Sequence, residues 1–175
     1  MGFSSVEDDM RRALVLIASV VITVAGCVPS PEGFRKGSVE DCGGVAVVVN
    51  YGILSDERVT TCVEFESPEA IGLDVVGFAG FEVEGTETYG DQVICRVNGL
   101  PSEQEPFTVV GEEPHSETCA DMPPAFGYWA LWVKESESAE WAYAEEGIST
   151  LPVTPGMTVG MVFSSGGETP VPSDP

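Results

Sequence analysis

An uncharged apolar run, Ala13 to Ala25 (ALVLIASVVITVA), stops just short of a cysteine, Cys27. It is too short to cross a bilayer, which takes about 20 residues. Its length suits the hydrophobic stretch of an export signal, with Arg11 and Arg12 as the positive flank. Glu7, Asp8 and Asp9 ahead of that flank are out of character, and a start at Met10 removes them. Export sets the redox environment for everything that follows, so the remaining cysteines are expected to be oxidised.

The run closes on Val24-Ala25-Gly26-Cys27, an apolar residue, two small residues and a cysteine. This is the pattern of a bacterial lipobox. The thiol must lie at the membrane surface to receive lipid, and the small residues must fit the peptidase that frees the cysteine amino group. The expected product is a palmitate-bearing lipoprotein held at the extracytoplasmic face of the cell membrane through Cys27, because one acyl chain alone anchors weakly. Four cysteines then remain, Cys42, Cys62, Cys95 and Cys119. Four allow three connectivities, of which we favour the sequential pairs Cys42–Cys62 and Cys95–Cys119. A metal site is the rival reading, but the chain has no Cys-x-x-Cys and no histidine at ligand spacing.

The chain carries a formal net charge of −22. Removing the signal takes three acids and two bases from 29 and 7, leaving −21. That charge argues against nucleic acid and anionic headgroups as partners. The carboxylates are scattered and form no Asp-x-Asp-x-Asp-Gly calcium loop. The expectation is a non-catalytic protein without cofactor or metal. Its lone histidine, His115, sits in the polar loop Glu112 to Glu117, no Gly-x-Ser-x-Gly is present, and no cysteine is left free. Glu82 with Glu84 and Glu135 with Glu137 read as acidic surface rather than a glycosidase pair. Arg96, the one base within a predicted strand, is placed to pair with a carboxylate on the sheet.

Composition divides the chain into a signal (1–26), a Pro- and Gly-containing tether (27–41), a folded domain (42–164) and a disordered tail (165–175). Within the domain, Val45 to Asn50 and Val59 to Glu66 read as a hairpin. Ser67-Pro68 offers a cap and first turn for a helix bearing Ile71, Val75, Phe78 and Ala79 on one side, stopped at Gly80. Further strands are expected at Phe81 to Glu84, Val93 to Val97, Ala125 to Val133, Trp141 to Ala144 and Met157 to Phe163. The class is α+β, with about six to seven strands on one helix.

Four segments taken in order resemble the transcobalamin C-terminal-like family. They are Gly72-Leu73-Asp74-Val75-Val76-Gly77-Phe78-Ala79-Gly80-Phe81-Glu82-Val83, Val93-Ile94-Cys95-Arg96-Val97-Asn98-Gly99, Tyr128-Trp129-Ala130-Leu131-Trp132-Val133 and Pro155-Gly156-Met157-Thr158-Val159. The resemblance implies a β-grasp-like mixed sheet. It also implies, for an exported bacterial member, an accessory role in uptake of a vitamin- or corrinoid-type small molecule, with a membrane transporter as partner.

The residues themselves point to the aromatic group Phe126, Tyr128, Trp129, Trp132, Trp141 and Tyr143 as the ligand-binding surface. Alternation places Tyr128 and Trp132 on one face of a strand and Trp129 and Leu131 on the other. Two such faces exceed what a sheet with a single helix can bury, so some of these rings are expected to meet a ligand. The alternative is a structural or adhesion module of the cell envelope that binds a protein.

Overall fold

A computed structural model describes residues 33–167 and 170–175; Cys27 and the apolar run lie outside the described residues. In chain order the elements are β1 (Arg35–Gly37), β2 (Val45–Asn50), β3 (Arg58–Glu64), β4 (Ala70–Ile71), α1 (Gly72–Ala79), β5 (Val83–Thr86), β6 (Gly90–Val97), β7 (Gly127–Lys134), β8 (Ala142–Tyr143), β9 (Pro152–Val153) and β10 (Thr158–Ser165). The fold is mixed α+β, mostly sheet with one helix and two disulfides.

Six strands form the main sheet in the order β1-β3-β2-β10-β7-β8, and β4-β9 and β5-β6 form two small ribbons. The β-branched run of β2 pairs antiparallel with β3, from Val45 opposite Val63 to Asn50 opposite Arg58, as the expected hairpin. β10 lies parallel to β2 and antiparallel to β7, so the last long strand enters the middle of the sheet. A fully buried strand reads as a continuous apolar run, which both β2 and β10 show.

Side-chain alternation sorts the sheet into two faces. Val45, Val47 and Val49 of β2, Val159, Met161 and Phe163 of β10 and Trp129 of β7 join Val75, Val76 and Ala79 of α1 in the main core. Trp129 meets Phe163 and Tyr51 edge-on, with ring centroids 5.6 and 5.4 Å away, and its Nε1 donates to the Leu100 carbonyl at 2.9 Å.

The helix starts later than its capping residues suggest. Ser67 bonds locally to the backbone of Glu69, Ala70 and Ile71 pair with β9, and α1 begins at Gly72. The first helical N–H groups find remote partners instead: Gly72 donates to the Leu151 carbonyl and Leu73 to that of Ile148. The buried stripe shifts accordingly to Gly72, Val75, Val76 and Ala79. Gly72 is small because Ile148 packs on it: a Cβ there would lie 2.9 Å from the Ile148 Cδ1. Gly80 ends the helix in the left-handed conformation, φ 104°.

Both disulfides join sequential neighbours, Cys42–Cys62 and Cys95–Cys119. The second helps to hold the long Glu- and Pro-rich loop between β6 and β7 against the body. Arg96, buried in β6, completes the attachment: Nη1 binds Glu84 at 2.6 Å, Nε binds the Pro101 carbonyl and Nη2 the Glu117 carbonyl. Arg96 thus pairs with a carboxylate as expected, and also ties down two loop segments. Phe107 and Val109 of that loop enter the main core.

The domain extends beyond both ends set by composition. Arg35 to Gly37, assigned to the tether, pair with Cys62 to Glu64 as an edge strand. The tail is also engaged: Pro172 is buried and Asp174 bonds Lys134. Neither short contact leaves a periodic sequence pattern, so composition reads both segments as linker.

Candidate functional site

The six aromatic residues separate into two groups. Trp129 is core, as above, and Phe126 packs on it partly buried beside Phe107 and His115. Trp129 is closed off by that packing, whereas Phe126 keeps part of its ring at the surface. Tyr128, Trp132, Trp141 and Tyr143 lie together with Ala130 and Val162 on the other face of the sheet. Alternation along β7 divides Tyr128 and Trp132 from Trp129, so a single surface made of all six is not possible.

The outer-face group is built by the β7–β8 pairing, which sets Trp132 opposite Tyr143. Their rings stack with centroids 4.1 Å apart and planes 21° apart. Trp132 is only 7% exposed and Tyr143 is 46% exposed. The Trp132 Nε1 is buried with no hydrogen-bond partner among the described residues. Orphaned buried donors are unusual in folded proteins.

The same face carries the end of the chain. Gly160, on the outward side of β10, has no side chain because two groups close over it: a Cβ there would lie 2.6 Å from the Pro172 ring and 3.1 Å from the Trp141 indole. Beside them Lys134 Nζ, 8% exposed, meets Asp174 Oδ1 at 2.7 Å and lies 6.0 Å from the Trp141 ring centroid. The Asp174 carboxyl is held below the ordinary carboxylate range, first by its bond to Lys134 and then by the lysine's charge. Lys134, Gly160, Pro172 and Asp174 were not candidates from the sequence. The signals that could have found them were a lysine in an aromatic strand of a strongly acidic chain and a Pro-x-Pro near the terminus.

Elsewhere polar groups bond to one another and to the backbone. His115 Nε2 lies 3.3 Å from Glu117 Oε2, and Glu117 Oε1 accepts the Cys119 N–H at 2.8 Å. Glu117 also lies beside Cys95 and Cys119, but those sulfurs are bonded to each other. Burial pushes the Tyr51 phenol up, against the opposing effect of the Asn98 amide that donates to it at 2.9 Å. A cavity of about 610 Å³ opens between Phe34, Phe65, Ala70 and Ile71, and one of about 290 Å³ between Leu54, Leu100 and Phe107. Neither includes an outer-face aromatic.

No family model, curated protein or solved structure matches this chain.

Proposed function

We propose that the chain is a lipid-anchored extracytoplasmic binding module of β-grasp type, whose outer aromatic face recognises a protein partner in the cell envelope. The Trp132–Tyr143 stack carries this reading. It is a large stacked ring pair placed away from the main core, with the Tyr143 ring open to solvent. Rings of this kind supply contact area at low entropy cost in protein interfaces. The two disulfides fit an oxidising compartment outside the cytoplasm, and the lipobox sequence supports attachment through Cys27. The hairpin β2–β3, the crossing helix α1 and the central parallel pair β2–β10 support the β-grasp assignment.

Uptake of a vitamin- or corrinoid-type molecule is the second reading, carried by the half-open rings themselves. Small-molecule sites are usually concave, and the two cavities above are lined by other residues, so protein recognition ranks first. The two readings separate in one experiment on the exported full chain. A photo-activatable residue replaces Tyr143, with the same residue at exposed Tyr89, in the β5–β6 turn, as control. A protein adduct at 143 that is lost in Trp132→Ala supports the proposal. A stoichiometric adduct with a corrinoid or host metabolite in native mass spectrometry, also lost in Trp132→Ala, replaces it with the uptake reading. No adduct of either kind rejects the outer face as a site. The anchor has its own test: Cys27→Ala releases the protein from membranes, and retention would end the lipoprotein assignment.

A further inference from the structure

We infer that residues 170–175 are an internal ligand of the outer aromatic face, and that the partner binding there presents an extended, proline-containing acidic segment in their place. The inference rests on the binding-face reading above and names the chemistry of its partner.

Three observations combine. The segment Pro170-Val171-Pro172-Ser173-Asp174-Pro175 is half proline. Such sequence favours the polyproline II conformation, which keeps its carbonyls unpaired and loses little entropy on docking. Pro172 is buried over Gly160, and Trp141 closes over the same glycine, so proline and indole share one site as in the aromatic-lined grooves that take proline-rich strands. Asp174 then reaches Lys134, a nearly buried cation on the same face, at 2.7 Å. A proline over Gly160 next to an indole, and an acid two residues on bonded to a lysine, define a short recognition pattern.

The fit is incomplete. The Nε1 atoms of Trp132 and Trp141 on this face both stay buried without an acceptor among the described residues. A segment with the same proline and acid spacing, and a carbonyl set over either indole, makes every contact the tail makes and satisfies a donor that the tail leaves unpaired. Such a partner displaces the tail. The tail, being attached, competes at high effective concentration and lowers the partner's apparent affinity by the fraction of molecules in which the face is open.

The test uses the full chain and follows the indole N–H signals of Trp132 and Trp141 by NMR, with no partner present. Pro172→Glu, which places a charge where the ring is buried, is expected to shift both signals and speed their exchange with water. A synthetic peptide of residues 166–175 is then titrated. Saturable binding to the Pro172→Glu chain, at least about tenfold tighter than to the unaltered chain, is expected from the competition. A peptide with alanine at 170 and 172 is expected not to bind. Unchanged indole signals in Pro172→Glu overturn the inference, as does equal binding of the peptide to both chains or equal binding of the alanine peptide. Because these signals are read without any partner, an undocked tail leaves the outer face available for the cross-linking result. A docked tail with no cross-linked partner counts instead against the proposed function.

Discussion

The two faces of the main sheet bury aromatic residues from the same strand by different means. On the inner face Trp129 sits among Tyr51, Phe163 and the helix, and its indole N–H has a backbone acceptor. On the outer face Trp132, three residues along, has a stacked tyrosine, an N–H with no acceptor among the described residues and, nearby, the segment of Pro172. Burial alone does not separate them, since Trp129 is 5% exposed and Trp132 is 7%. What differs is the cover. A helix with its own capping carbonyls cannot leave without global unfolding, whereas a six-residue segment held by one proline and one ion pair can. Similar burial can therefore lie under a firmly held cover or under a short segment with few holds.

The largest expected effect tests that distinction directly. Trp129→Ala is expected to cost about 3–5 kcal/mol in chemical denaturation, as for large aromatic truncations in a core. Trp132→Ala is expected to cost about 1–2 kcal/mol, within the ordinary range for point changes. Equal costs would make the outer face a second core and remove the basis of the comparison. Next, Gly77→Ala sharpens the inner face: Gly77 is exposed in mid-helix with open space around its Cα. The change is expected to stabilise by about 0.5–1 kcal/mol through helix propensity. A loss of stability would show that the helix needs flexibility there.

Gly160→Ala bears on the outer face. Its new methyl collides with Pro172 and Trp141, so the terminal segment is expected to lift while the denaturation midpoint moves little. Loss of indole protection at Trp141 with an unchanged midpoint is the expected combination. The smallest effect is titration. The folded-state pKa of Asp174 is depressed, so its contribution is present above the ordinary carboxylate value of about 4 and is lost as pH falls through the depressed one. Docking of the tail, followed by the same indole signals, is expected to hold at neutral pH and weaken at more acid pH. Asp174→Asn is expected to abolish that dependence. Added salt is expected to weaken docking too, since Asp174 is 71% exposed.

These two faces also show where sequence is informative. Alternation along Tyr128 to Val133 assigned each ring to its side, because side-chain direction in a strand is a local property. The valines of β2 and the pairing of neighbouring cysteines were legible for similar reasons. The helix start was not: Gly72 and Leu73 take their caps from Leu151 and Ile148, contacts absent from any local window. The attachment of the loop between β6 and β7 was only partly legible, because two of its anchors are backbone carbonyls bonded to Arg96, and carbonyls carry no residue identity. The terminal segment was hidden too, since Pro172 has its meaning only once Gly160 lies beneath it.

The placement of β1 has a mechanical consequence. A pull on the chain ahead of Gly33 loads an edge strand joined to β3 by three residue pairs, Arg35 to Gly37 against Glu64 to Cys62. These bonds lie across the strands and break in succession, like a zipper, under modest tension. Unzipping reaches Cys42 and stops, because the Cys42–Cys62 bond passes the load into β3. From there force is shared along the β2–β3 pairing, Val45 to Asn50 against Val63 to Arg58. Residues 35–37 thus act as a shock absorber with a covalent end-stop, and tension entering there leaves the rings of β7 and β8, at the far edge of the sheet, where they were.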